Sequence, residues 1–279
     1  MLNFLIVDKL IKEALLEDSP YGDVTTSSIV RDEKKASSDL IVKENGVICG
    51  LPIFIRVFEI LGEVEFKSYV KEGDFISKGV IIGKLYGNAS NILIGERIAL
   101  NILQRLSGIA TETNKYVSKL KGLSTKVLDT RKTTPTLRHI EKYAVSIGGG
   151  MNHRFSLSDG ILIKDNHIGY AGGIKEAINL VRESSLFIRK IEVEAENEAD
   201  VLEALEAKAD IIMLDNMSVE DTKKMVKIIR DRALIESSGN ITLDNIRDYA
   251  ETGVHFISSG SLTNNIKCLD ISLKNLKVI

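Results

Sequence analysis

From Thr125 onward the chain follows one pattern, and that pattern leaves little choice of architecture. Short apolar runs ending in polar residues recur at Val127-Leu128-Asp129-Thr130, Ile161-Leu162-Ile163-Lys164, Ile191-Glu192-Val193-Glu194, Ile211-Ile212-Met213-Leu214-Asp215, Leu234-Ile235-Glu236-Ser237-Ser238 and Phe256-Ile257-Ser258-Ser259. Between most of them lie amphipathic stretches such as Glu198–Ala207 and Val219–Ile229. Strands that alternate with helices at this spacing imply a parallel sheet. Closure into an α/β barrel is the natural form at this length, and six strands predict an incomplete or irregular one.

The first part of the chain reads differently. Leu5, Ile6, Leu10 and Ala14 recur at helical spacing, and Glu17-Asp18-Ser19-Pro20 ends that helix. Residues 36–85 carry short β-rich runs separated by Gly and charged turns, which predicts a small sheet-containing domain. Val70-Lys71-Glu72-Gly73-Asp74-Phe75-Ile76 looks like a turn of lipoyl- or biotinyl-carrier sheets. No Lys sits there on a tight turn flanked by the residues such carriers use, so a structural role is expected. Ile92 to Ile109 is a helix with an apolar stripe, and Arg97, Asn101 and Arg105 share another face. The expected division is 1–108, joined by 267–279, and a barrel over 109–266.

Composition removes several functions. Apolar residues at 44% and charged residues at 27% suit a chain with a large core rather than a disordered one. A formal net charge of -2 gives no global field for nucleic acid or an anionic membrane, and aromatic residues are only 5%. Cys49 and Cys268 lack any motif spacing and imply neither a disulfide framework nor a zinc site. The first residues carry no basic leader and no apolar run is long enough to span a bilayer, so a cytoplasmic protein is expected.

In such barrels the catalytic groups sit at the carboxyl ends of the strands. Here those ends supply Thr130, Arg131, Lys132, Lys164, Glu194, Asp215, Ser238-Gly239-Asn240 and Ser259-Gly260-Ser261. A loop beside Gly148-Gly149-Gly150 adds His153 and Arg154. Small Ser-Gly turns present backbone amides to a phosphate. Glu194 and Asp215 could accept from ribose hydroxyls and hold Mg²⁺, which prefers carboxylate and phosphate oxygens. Arg131, Lys132, Arg154 and Lys164 suit carboxylates and pyrophosphate. Two like charges 4 Å apart repel by about 4 kcal/mol at an effective dielectric of about 20, so such a cation set calls for an anionic ligand. His153 is a candidate for orienting a substrate carboxylate. His167 is expected to stabilise its loop, and His139 and His255 to be ordinary structural residues.

At these residues the sequence resembles the quinolinate phosphoribosyltransferase family. The resemblance is carried by Asp129-Thr130-Arg131-Lys132-Thr133-Thr134-Pro135, Glu141-Lys142-Tyr143-Ala144-Val145 through Gly150, Asn152-His153-Arg154 and Leu162-Ile163-Lys164-Asp165-Asn166-His167-Ile168. It extends to Asn101–Thr111, Glu192-Val193-Glu194 and Leu214-Asp215-Asn216. Two positions depart from the family pattern: Asn240 stands where a second glycine is frequent, and Thr136 where glycine is usual.

The resemblance implies an N-terminal α/β sandwich domain, a C-terminal barrel of the type II phosphoribosyltransferase kind, and a homodimer with shared active sites, with larger oligomers open. Arg105 would enter the partner's site. The implied reaction joins quinolinate to phosphoribosyl pyrophosphate with decarboxylation, giving nicotinate mononucleotide in NAD biosynthesis, with Mg²⁺ and no redox cofactor. The alternatives are a paralogue acting on another aromatic acid, including the molybdenum-associated branch, and a non-catalytic phosphate-ligand sensor. The complete cationic set with Glu194 and Asp215 argues against the sensor.

Overall fold

The computed structural model describes residues 2–30, 34–184 and 189–279, which form two compact units. The first comprises Met1–Asn114, Pro135–Gly149 and Asn265–Ile279. It begins with α1 (Phe4–Asp18), whose Asn3 cap accepts the Leu5 amide, and α2 (Val24–Ile29), capped by Asp23. An antiparallel sheet is ordered β12-β1-β5-β3, from β1 (Lys35–Val42), β3 (Val64–Ser68), β5 (Ile81–Asn88) and the C-terminal strand β12 (Ile271–Val278). A two-stranded ribbon pairs β2 (Gly46–Val47) with β4 (Phe75–Ile76).

Helix α3 (Leu51–Leu61) packs on β3. Its Phe54 is wholly buried and meets Phe58 and Phe66 edge-on, with ring centroids 5.2 and 5.1 Å away. Burying each such ring stabilises the unit by about 1.5–3 kcal/mol. The carrier-like turn has a structural job here. Its Glu72 carboxylate accepts the Gly50 and Leu51 amides at the start of α3, at 2.6 and 3.0 Å, and the Tyr143 hydroxyl at 2.9 Å. Burial and the Glu72 charge push Tyr143 up, so it stays a neutral donor.

Tyr143 lies on α5 (Arg138–Ile147), which therefore belongs to the first unit although the sequence places 109–266 wholly in the barrel. The expected boundary after 108 falls inside α4 (Ala89–Lys119). Gly108 does not end that helix. A Cβ there would stand 2.4 Å from the Lys267 carbonyl oxygen, so the glycine permits close packing within the unit.

The second unit, Lys115–Thr134 with Gly150–Asn264, holds six parallel strands in the order β6-β11-β10-β9-β8-β7. These are β6 (Lys126–Leu128), β7 (Ile161–Ile163), β8 (Ile191–Ala195), β9 (Ile211–Asp215), β10 (Leu234–Ser238) and β11 (Phe256–Ser258). Each coincides with one of the six runs read from sequence. The intervening helices are α6 (Asp165–Ala171), α7 (Ile174–Glu183), α8 (Glu198–Glu206), α9 (Val219–Ile229), α10 (Ile246–Glu251) and α11 (Ser261–Asn264). Met151 extends the ladder past β6 by a single bridge, donating to Val127 at 2.8 Å and accepting from Asp129 at 3.2 Å. The result is an irregular α/β barrel.

Successive strand side chains alternate between the barrel's two faces. Val193, Ile212, Leu214, Ile235 and Ile257 are buried on the helix side, while Glu192, Glu194, Glu236, Ser238 and Ser258 lie on the other face.

Thr136 adopts φ 71°, a left-handed conformation that a β-branched residue reaches only under strain of order 1–3 kcal/mol. Thr136→Gly is expected to raise stability by about 1 kcal/mol, or roughly 2–4 °C in Tm. Calorimetry showing no rise would mean that this turn is not strained.

Candidate active site

The parallel ladder brings the second unit's strand ends to one mouth, because all six strands run the same way. Lys164, directly after β7, pairs with Glu194 near the end of β8. Asp215 ends β9, and its carboxylate accepts the Asn216 side-chain amide at 2.8 Å. After β10, Gly239 takes φ 90° and Asn240 φ 52°. A Cβ on Gly239 would lie 2.2 Å from Asn216 Oδ1, so only glycine fits. Asn240 adopts the left-handed conformation that asparagine tolerates, donates to Asn216 Oδ1 at 3.2 Å, and accepts from Asn245 at 3.1 Å. The missing second glycine is thus accommodated.

Beyond β11, Ser259 and Ser261 share a hydrogen bond of 2.7 Å, and Ser261 also meets the buried Tyr116 hydroxyl at 2.9 Å. Gly260 lies against Lys132: a Cβ there would be 2.9 Å from the lysine Cδ. Thr263 donates to the Lys132 carbonyl at 2.8 Å, and Thr130 Oγ1 accepts the Lys132 amide at 3.0 Å. Arg131, Lys132 and this turn therefore form one continuous rim.

Asp129, fully buried at the end of β6, holds the other side of the mouth. It accepts from the Asn152 side chain at 2.7 Å and the His153 amide at 2.8 Å. Arg154 donates to the Gly160 carbonyl at 2.8 Å. Burial and the neighbouring Arg131 pull its guanidinium below the ordinary range, while Glu192, Glu194 and Asp159 oppose this.

His153 lies beside two acids of the barrel strands. Its Nε2 lies 3.1 Å from Glu192 and 3.6 Å from Glu236, and its Nδ1 accepts the Arg154 amide at 2.7 Å. Both ring nitrogens are engaged within the barrel rather than aimed at a ligand. Burial, then the adjacent Glu192 charge, push Glu236 up to about 8. Glu236 thus keeps its proton near neutrality although the adjacent His153 opposes the rise.

Each of the remaining histidines accepts a backbone amide. His139 accepts the Asn3 amide at 2.9 Å, His255 the Ile235 amide at 3.1 Å, and His167 the Lys164 amide at 3.0 Å, which caps α6. Arg105 belongs to the first unit, where its Nε and Nη2 donate to one oxygen of the fully buried Glu141 at 2.8 and 2.6 Å.

Sequence reasoning passed over Asp129, Glu192, Glu236, Asn216 and Tyr116 as site-supporting residues. Asp129, Glu192 and Glu236 carried a legible signal, an acid in an apolar strand run. Asn216 lay in the family-like segment Leu214-Asp215-Asn216, whereas Tyr116 carried no signal, since its role depends on a contact distant in sequence.

Fold and mouth together define an α/β barrel whose strand ends carry cations, carboxylates and two small glycine turns. The quinolinate phosphoribosyl transferase N-terminal domain matches residues 23–107 and the C-terminal domain of that family residues 109–274. A probable nicotinate-nucleotide pyrophosphorylase (carboxylating) of Bacillus subtilis (strain 168) is 44% identical over 273 residues, covering 98% of this chain and 94% of that one. A protein of the same description from Methanocaldococcus jannaschii is 43% identical over 274 residues, 95% of each chain. The crystal structure of NadC from Streptococcus pyogenes superimposes with a TM-score of 0.96 at 43% identity, covering 100% of both chains. This chain belongs to the quinolinate phosphoribosyltransferase family.

Because Glu236 is protonated in the fold but ordinarily titrates at 4.5, its contribution to stability is present below that pH and is lost as pH rises through about 8. The Tm of wild-type protein relative to Glu236→Gln is expected to fall between pH 5 and pH 8. A pH-independent difference would mean that the buried proton is absent.

Proposed function

We propose that this chain transfers the phosphoribosyl group of phosphoribosyl pyrophosphate to quinolinate with decarboxylation, giving nicotinate mononucleotide, pyrophosphate and CO₂ in NAD biosynthesis. The observation that carries the reading is the mouth itself. It gathers Arg131, Lys132, Arg154 and Lys164 beside Glu194, Asp215 and two Ser-Gly turns, in a chain of this family over nearly its whole length.

In this reading Arg131, Arg154 and Lys164 take the two carboxylates of the pyridine, Arg by paired donors and Lys as a point charge. Lys132 faces the pyrophosphate, and Ser238-Gly239-Asn240 with Ser259-Gly260-Ser261 receive the 5-phosphate on backbone amides and hydroxyls. Glu194 and Asp215 accept from the ribose hydroxyls. The pyridine nitrogen forms a bond to the anomeric carbon as the bond to pyrophosphate breaks, its electron pair leaving with the pyrophosphate. The resulting pyridinium stabilises the electron pair left on its ring carbon as CO₂ departs, and that carbon then takes a proton. Preorganised cations are the main catalytic contribution, since they need no reorientation as charge develops.

The donor set fits Mg²⁺, since Glu194 and Asp215 offer hard oxygens on neighbouring strands. Bound there, Mg²⁺ would neutralise the departing pyrophosphate. The reading includes a homodimer with shared sites, itself able to build larger oligomers, in which Arg105, held by Glu141, serves the partner's mouth. Two cysteines without motif spacing suit a reducing cytoplasm, and among the described residues no helix is long and apolar enough to cross a membrane.

Purified chain with quinolinate, phosphoribosyl pyrophosphate and Mg²⁺ is expected to form nicotinate mononucleotide and CO₂ in equal amounts, and nicotinate to serve poorly. Folded protein that binds phosphoribosyl pyrophosphate but leaves quinolinate unchanged would point to a paralogue or sensor.

A further inference from the structure

We infer that Glu192 and Glu236 are positioning residues for the reaction proposed above, on which this inference rests: from inside the barrel they seat the His153 imidazole, and the seated ring fixes Arg154 at the mouth. The two acids come from β8 and β10, on either side of β9, and side-chain exposure falls to 6% and 2%. Ser258 of β11 lies near enough to Glu236 to act on its carboxyl. One oxygen of each acid is buried with no hydrogen-bond partner among the described residues. Buried carboxylates so placed are costly, and replacing them by apolar residues would ordinarily be neutral or stabilising. Packing therefore does not explain them, whereas their convergence on Nε2 does.

The seating propagates along the chain. With Nε2 held from below, Nδ1 faces the backbone and accepts the Arg154 amide, while Asp129 holds the His153 amide from the other side. Arg154 is then restrained at its own amide and again at Nη1, by Gly160. The same three side chains bring ligand atoms within 4.8 Å of one another and could grip a divalent ion. The Arg154 charge already acts on Glu192, which disfavours a second cation there.

Glu192→Gln and Glu236→Gln in the full chain keep shape, the first removing a carboxylate and the second a carboxyl that holds its proton. Each is expected to raise KM for quinolinate on the order of tenfold and leave KM for phosphoribosyl pyrophosphate within about twofold, and adding His153→Ala is expected to cost little more. Folded variants with unchanged quinolinate KM, or losses that multiply with His153→Ala, would overturn the inference. So would a stoichiometric metal in purified wild-type protein that His153→Ala releases. Nitrogen NMR of histidine-labelled wild-type chain tests the seating without any variant: the Nε2–H tautomer with bare Nδ1 is expected, and the Nδ1–H tautomer contradicts it. Absence of wild-type turnover would instead remove the functional reading and leave the tautomer to decide the seating.

Discussion

Cations held close together must be balanced, and that electrostatic requirement organises both units. Burial and the nearby Arg131 loosen the hold of Arg154 on its proton, and Lys164 stands at the same mouth. Each is tolerated because an acid is built in nearby. Glu194 takes Lys164, Glu192 and Glu194 act on Arg154, and in the first unit buried Glu141 takes Arg105 with two donors on one oxygen. Such pairs contribute little net stability after desolvation, but removing one partner leaves a costly unpaired charge. The acids thus hold the cations in place, the arrangement that the proposed electrostatic catalysis needs.

A second constraint is backbone shape at the strand ends. Asn216, Gly239 and Asn240 are all left-handed, at φ 55°, 90° and 52°. Asn216 links them, donating to Asp215 and accepting from Asn240 while its side chain fills the space beside Gly239. The carboxylate after β9 and the small turn after β10 are therefore one structure. On the other side the hydroxyl chain Tyr116–Ser261–Ser259 sets the turn after β11 against Lys132.

Much of this was legible before any coordinates. All six barrel strands follow from apolar runs whose last residues turn polar, because a strand covered on one side by helices and ending at a solvated mouth must read that way. Departures arose where local pattern and long-range contact disagree. Helix α4 runs on to Lys119, past the Ile92–Ile109 stretch read from periodicity, and Gly108 within it permits a close approach to Lys267. Helix α5 joins the first unit because Tyr143 completes the cap that Glu72 places on α3. His153 turns inward because two acids from strands distant in sequence await it.

The sequence by itself determined the alternation of strand and helix, the chemical inventory at the strand ends and the family, since these depend on periodicity and on residue order along the chain. Only the tertiary structure decided which charge answers which, that Met151 extends the barrel edge, and that Glu192 and Glu236 converge on one imidazole nitrogen. The reason is physical. Hydrophobic period is a local property, whereas hydrogen bonds and ion pairs act over a few ångströms between residues that only folding brings together.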